Sequence, residues 1–132
     1  MESNQLTLFD EYSETLSELS SVSELIDVFA KFRYKDKPYS KRNWGNSLHS
    51  LCSYQGKLKP AIAHFLVKTM TQKGERILDP FSGAGTIPLE ACLQGRFGDG
   101  IDINPLAHAT TLAKVTFPSR EDVYDFRDRL SS

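Results

Sequence analysis

The sequence predicts an α/β fold, the opening part of a doubly wound, Rossmann-like parallel sheet behind an N-terminal helical and basic extension. Three observations predict it. A short strand-like run, Arg76-Ile77-Leu78-Asp79, leads into a glycine-bearing turn and then an apolar helical stretch. A second strand-like run lies within residues 97–103, and Asn104-Pro105 behind it is a cap followed by a first-turn proline. At 132 residues, 39% of them hydrophobic and 25% charged, the chain has the composition of one globular domain.

Taken in order, residues 1–14 lack periodicity and are expected to form a mobile tail. Residues 15–46 are expected to hold a helix and a basic aromatic segment, and residues 47–132 the α/β (half-)domain. Val22, Leu25, Ile26, Phe29 and Phe32 recur at helical spacing, and Ser21 with Glu24 has the form of a capping box. Residues 33–47 read as a loop, and residues 48–57 as extended or irregular. Pro60 suits the first turn of a helix through Ile62, Phe65, Leu66 and Thr69, with Gly74 beyond its end. The helix after the glycine turn runs to about Leu93; Pro88 falls in its first turn, where a missing N–H costs little, and Gly95 stops it. The next helix ends near Val115. Ser119 with Asp122 begins a last one carrying Val123, Phe126 and Leu130.

The net charge of −1 conceals segregation. Residues 1–30 carry seven acids and no Lys or Arg, residues 31–76 eleven bases against two acids, and residues 77–132 five bases against eight acids. A basic middle in a neutral total points to a polyanionic partner. Cys52 and Cys92 have no paired metal-ligand spacing and are expected to be idle thiols. No apolar run approaches the ~18–20 residues that span a bilayer, and the polar, acidic N-terminus has no secretory pattern, so the expected compartment is the cytoplasm.

The chemistry concentrates in Asp79-Pro80-Phe81-Ser82-Gly83-Ala84-Gly85-Thr86, with Asp102 after it. Glycines let a backbone turn sharply and approach a ligand, and the following helix N-terminus offers free N–H groups. An acid closing the second strand can take both ribose hydroxyls. A dinucleotide fingerprint would need glycine where Pro88 stands, and a P-loop would need a lysine after Gly85. Neither fits.

The run DPFSGAGTIPLEACLQGR resembles motif I of the DNA amino-methyltransferases, which use S-adenosylmethionine to modify cytosine N4 or adenine N6. GDGIDINPLAHATTLAKV is similar to the segment that follows, and SLCSYQGKLKPAIAHFLV to that family's motif X. The resemblance covers residues 47–115 and implies S-adenosylmethionine as cofactor. It implies that Asp79 accepts from the methionine ammonium, although an Asp there can equally cap the turn. The backbone around Phe81, Gly83 and Gly85, with Thr86, would hold the methionine carboxylate, and Pro80 is among the cofactor-binding residues. Asp102 would bind the ribose and Ile103 pack on the adenine. Tyr54, Gln55, Gly56 and Lys57 would close the site, with Lys57 balancing the carboxylate. Phe81 and Ile103 as plain core, and Lys57 as a solvated charge, remain open alternatives.

The family's catalytic segment, Asp/Asn/Ser-Pro-Pro-Tyr/Phe, has no counterpart, because no Pro-Pro pair occurs. His49, His64 and His108 share no recognisable spacing with a nucleophile or acid and read as structural. The 57 residues from Arg76 onward hold about two strands at ~30 residues per crossover unit. A second methyltransferase chain is therefore expected to continue the sheet and bring the catalytic loop, as in a split enzyme; a fragment of a longer chain is the alternative. Lys35, Lys37, Lys41 and Arg42, with Tyr34, Tyr39, Trp44 and Tyr54 near them, are expected to meet duplex DNA, cations on phosphates and aromatics stacking. Gln5-Leu6-Thr7-Leu8-Phe9 resembles the peptide by which bacterial proteins dock on the replication sliding clamp, through Gln5, Leu6, Leu8 and Phe9. Two rival readings stay open, a catalytically inactive S-adenosylmethionine-binding regulatory module and a fragment of an RNA guanine-N2 methyltransferase.

Overall fold

The structure, a computed structural model, describes residues 21–131. The expected tail and the peptide Gln5–Phe9 lie outside them. In chain order the elements are α1 (Val22–Lys31), a 3-10 turn (Ser47–Ser50), α2 (Pro60–Met70), β1 (Arg76–Asp79), α3 (Thr86–Leu93), β2 (Phe97–Gly100), α4 (Pro105–Val115) and α5 (Arg120–Leu130). Among the described residues the sheet is β1 beside β2, parallel, with Arg76 opposite Phe97 and Asp79 opposite Gly100. This is the α/β start that the sequence predicts, with the expected order and parallel pairing.

Local signals set the boundaries. The Ser21 hydroxyl accepts from the Glu24 N–H, and the Glu24 carboxylate accepts from the Ser21 N–H, so two of the orphan donors of α1 are satisfied reciprocally. Pro60 stands at the first position of α2, and the helix stops where Thr71 turns extended. Asn104 caps α4 by accepting from the Leu106 N–H at 3.0 Å. Ser119 and Asp122 build the capping box of α5.

The strands carry little side-chain bulk where α3 crosses them. A Cβ on Gly98 would lie 2.4–2.9 Å from the Pro88 backbone, and one on Gly100 would lie 2.7 Å from the Ser82 Cβ. The glycines let α3 rest directly on the β2 backbone, a close approach that any side chain would block. The ladder also extends past the strands, because the Ile101 N–H donates to the Asp79 carbonyl and the Ser82 N–H to the Ile101 carbonyl, both at 2.9 Å. These bonds fix the turn after β1 against the end of β2.

An apolar cluster lies elsewhere, where α1 and the segment after it pack on α2. Val28, Phe32, Tyr39, Ala61 and Phe65 are buried together, with Phe29, Tyr34, Trp44 and Leu66 packed around them. Phe32 stacks on Phe65 with ring centroids 4.4 Å apart. This corrects the aromatic part of the nucleic-acid expectation at Tyr39, whose ring is buried; Tyr34 and Trp44 pack around the same cluster and stay partly exposed. Basic residues interleaved with aromatics look the same in sequence whether the rings point out or in. Here burial of large rings wins, since each removes ~150–250 Å² from water. The cations Lys35, Lys37, Lys41 and Arg42 remain exposed.

Candidate functional site

A cavity of about 300 Å³ opens at the carboxyl end of β1. Its walls come from two distant parts of the sequence. Asp79, Phe81, Ser82, Gly83, Ala84, Thr86 and Ile87 supply one side, from the turn after β1 and the start of α3. Tyr54, Gly56, Lys57 and Leu58, upstream of α2, supply the other, with Leu66 of α2. The volume stands at the lower end of the ~300–1,000 Å³ range of small-molecule sites.

The turn owes its shape to Gly85, which caps α3 at φ +69°. A Cβ at Gly85 would lie 2.7–3.0 Å from Thr111, so both the left-handed backbone and the contact with α4 demand glycine. No side chain caps α3. Its first N–H groups, on Thr86 and Ile87, therefore sit at the cavity wall with the positive end of the helix dipole, and Pro88 has no N–H to satisfy. The carbonyls of the turn face away: Thr111 donates to the Gly83 carbonyl at 3.3 Å and the Lys114 ammonium to the Ala84 carbonyl at 2.5 Å. Burial, then the charge of Lys57, holds the Lys114 pKa below the ordinary lysine value.

Two carboxylates brace the turn. Asp79 accepts from the Phe81 N–H through Oδ1 at 3.1 Å, so it caps the turn while lining the cavity. Asp102 accepts from the Gly83 N–H at 2.8 Å with one oxygen and from the Asn104 N–H at 2.8 Å with the other. Those backbone donors, Asn104 first and Gly83 second, keep the Asp102 carboxyl below the usual carboxylate range. Asp102 thus ties the end of β2 to the glycine turn and does not line the cavity.

The upstream wall is anchored just as specifically. The Tyr54 ring lies 3.4 Å from where a Cβ of Gly83 would stand, and its hydroxyl accepts from the Asn104 side-chain amide at 3.2 Å. Lys57 Nζ donates to the Asn43 Oδ1 and to the His49 carbonyl, both at 2.6 Å. Burial, then the neighbouring Arg42 charge, lowers the Lys57 pKa. Behind this wall lies a cluster that sequence spacing does not reveal. His49 and His64 both meet Glu90, at 2.7 and 2.9 Å, and Gln94 donates to Glu90 at 3.2 Å. The signal is a lone acid inside the apolar run TIPLEACL, but its partners stand 41 and 26 residues away. Burial raises the Glu90 pKa; the hydrogen bonds from His49 and His64 outweigh it and bring it to about 2.

Of the residues that the motifs assign to the cofactor, Tyr54, Gly56, Lys57, Asp79, Phe81, Gly83 and Thr86 come together around one cavity. Gln55, Pro80, Gly85, Asp102 and Ile103 do not line it. Phe81 and Ile103 are 87% and 99% exposed, so neither is plain core among the described residues. Ser82, Ala84, Leu58, Leu66 and Ile87 also line the cavity, and the sequence alone does not mark them. His108 lies apart, exposed on α4. Cys52 and Cys92 form no disulfide with each other. Among the described residues no group of side chains is arranged to hold a metal ion, and no helix is long and apolar enough to cross a membrane.

Comparison with known proteins supports the reading of these segments. Residues 49–103 match the family UPF0020, described as an RMKL-like methyltransferase domain. The chain is 32% identical over 66 residues to the Type II methyltransferase M.MjaII of Methanocaldococcus jannaschii, covering 50% of this chain and 12% of that protein. It is 36% identical over 85 residues to the Type II methyltransferase M.BsoBI of Geobacillus stearothermophilus, covering 64% of this chain and 16% of that protein. The chain therefore spans less than a fifth of either relative. No solved structure matches significantly. The segment matched by the family contains both walls of the cavity, so it is over the candidate site that this chain is similar to methyltransferases.

Proposed function

We propose that this chain is the S-adenosylmethionine-binding part of a site-specific DNA amino-methyltransferase acting on cytosine N4 or adenine N6, and that another chain supplies the catalytic loop. The observation that carries the reading is the convergence of the Tyr54–Leu58 segment and the glycine turn on one cavity at an uncapped helix N-terminus.

The donor set fits an amino acid joined to a nucleoside. The Thr86 and Ile87 N–H groups and the dipole of α3 offer a place for a carboxylate. Asp79 keeps one oxygen on the Phe81 N–H and presents its charge to the cavity, where an ammonium would be held. Lys57 adds positive charge on the opposite wall. Asp102 reaches a ribose only by adding to its two backbone bonds, which its remaining lone pairs allow. Ile103 and Phe81, both open to solvent, offer apolar faces to a base. When bound, the sulfonium supplies an electrophilic methyl group for attack by an exocyclic amine. The residues of this chain bind and orient that donor, with Tyr54 bordering it on the upstream side.

The exposed apolar residues Leu78, Phe97, Ile101 and Leu112 around the two strands support completion of the sheet by further sequence. In that assembly Lys35, Lys37, Lys41 and Arg42 contact DNA phosphates, and Gln5, Leu6, Leu8 and Phe9 dock on the sliding clamp. Labelled methyl transfer to duplex DNA and to tRNA, by this chain alone and with its co-expressed neighbour, tests the proposal. Transfer to DNA only with the neighbour supports it. Transfer by this chain alone overturns the split arrangement, transfer to tRNA favours the RNA reading, and donor binding without transfer in any combination favours the regulatory module. Clamp capture that survives Leu8→Ala with Phe9→Ala removes the docking peptide.

A further inference from the structure

We propose that Glu90 is a latch that positions the upstream wall of the cavity, acting through His49 on Lys57 and Tyr54; the functional half of this rests on reading the cavity as the cofactor site.

Glu90 belongs to α3, about one turn after Thr86, and its side chain is buried against His49 and His64. His49 belongs to the 3-10 turn and is fully buried, with Nε2 at 2.7 Å from Glu90 Oε1. His64 of α2 takes the other carboxylate oxygen. One carboxylate therefore holds three elements at once, and its α3 also forms the far wall. The link to the cavity is direct: the His49 carbonyl accepts from Lys57 Nζ, and Lys57 with Tyr54 lines the cavity. Fixing the His49 turn fixes the origin of the Tyr54–Leu58 segment.

Apolar side chains would fill this space at lower cost than an ionised carboxylate. What the polar cluster adds is direction, since a hydrogen bond sets angle and distance where apolar packing leaves a loop free to slide. His49 Nδ1 is buried without a partner, alone in this among the described buried side-chain N and O atoms. His49 therefore meets Glu90 through Nε2 alone, so this one contact sets the orientation of the buried ring.

Hydrogen exchange on the full chain tests the latch without any ligand. In Glu90→Gln, and separately in His49→Ala, the hydrogen-bonded amides of His49, Leu51 and Lys57 should exchange at least about tenfold faster, while those of β1 change by no more than about twofold. Val67→Ala, which trims a buried side chain of α2 and leaves the Glu90 hydrogen bonds in place, should accelerate exchange without singling out those three amides. Uniform acceleration in the Glu90 and His49 variants, or none, overturns the latch. A binding cycle with S-adenosylhomocysteine then tests its consequence. His49→Ala and Lys57→Met should each weaken binding roughly tenfold, and the double variant should lose little more than either alone. Additive losses contradict action through Lys57. Absence of binding by the wild-type chain and its partner sinks the cofactor reading, and the exchange result still decides the latch.

Discussion

The two ends of the described chain are built in opposite ways. The segment from α1 to α2 encloses its own aromatic core, with Phe65 fully buried and Phe32, Tyr39 and Val28 packed beside it. The helix α5, at the other end, buries no residue, and Val123, Tyr124, Phe126 and Leu130 stay exposed. Between them, β1 and β2 leave Leu78 and Phe97 uncovered. The difference teaches which contacts this sequence can satisfy by itself. The cavity lies at the junction, with one wall hung from the self-sufficient end and the other on the open sheet.

The comparison breaks most easily at Phe65. Phe65→Ala removes the ring that stacks on Phe32 and should cost about 3–5 kcal/mol in denaturant unfolding. A loss below about 1 kcal/mol would show that the aromatic cluster is not the stabilising core. Next in size is Gly85→Ala, where a left-handed backbone and contact with Thr111 combine. It should cost about 2–4 kcal/mol and weaken donor binding in whatever fraction folds, measured by unfolding and calorimetry together.

Acid sharpens the junction. Glu90 has a folded pKa of about 2 against an ordinary 4.5, a depressed carboxylate. Its stabilisation is fully present above about pH 4.5 and is lost as pH falls toward 2, on the order of 3 kcal/mol in all. Glu90→Gln should remove that part of the acid limb; an unchanged acid limb would mean that other carboxylates dominate it. A smaller effect belongs to the DNA face. Replacing Lys35, Lys37, Lys41 and Arg42 with Ala should flatten the salt dependence of DNA affinity in the assembled enzyme, by up to roughly 0.9 for each phosphate no longer neutralised. The smallest effect is expected at α5: Ser119→Ala removes a capping box worth about 1 kcal/mol to the helix, but global unfolding should move by less than about 0.5 kcal/mol because no residue of this helix is buried. A larger shift would mean that α5 is integral to the fold.

What the sequence makes legible is local. Ser21 with Glu24, Asn104-Pro105 and Ser119 with Asp122 are capping signals readable within four residues, and each marks a helix start. The glycine turn and both strands are legible for the same reason. Resemblance to a known motif brings Tyr54 and Lys57 to the site, because their partners stand some 30 residues downstream and no local spacing links them. The latch is illegible, since burial of Glu90 depends on three elements meeting in space. So is the packing of Tyr39, where a basic neighbourhood in sequence masks an inward-facing ring. Asp102 is found by its position after β2, but its bonds to the Gly83 and Asn104 N–H groups appear only once the chain is folded.

Calorimetric titration of S-adenosylmethionine and S-adenosylhomocysteine into the assembled protein tests the central claim most directly. The account predicts saturable binding at one site per chain, abolished or severely weakened by Gly85→Ala and reduced by Lys57→Met. No heat with either compound, from protein whose folding is verified by its unfolding transition, would contradict it.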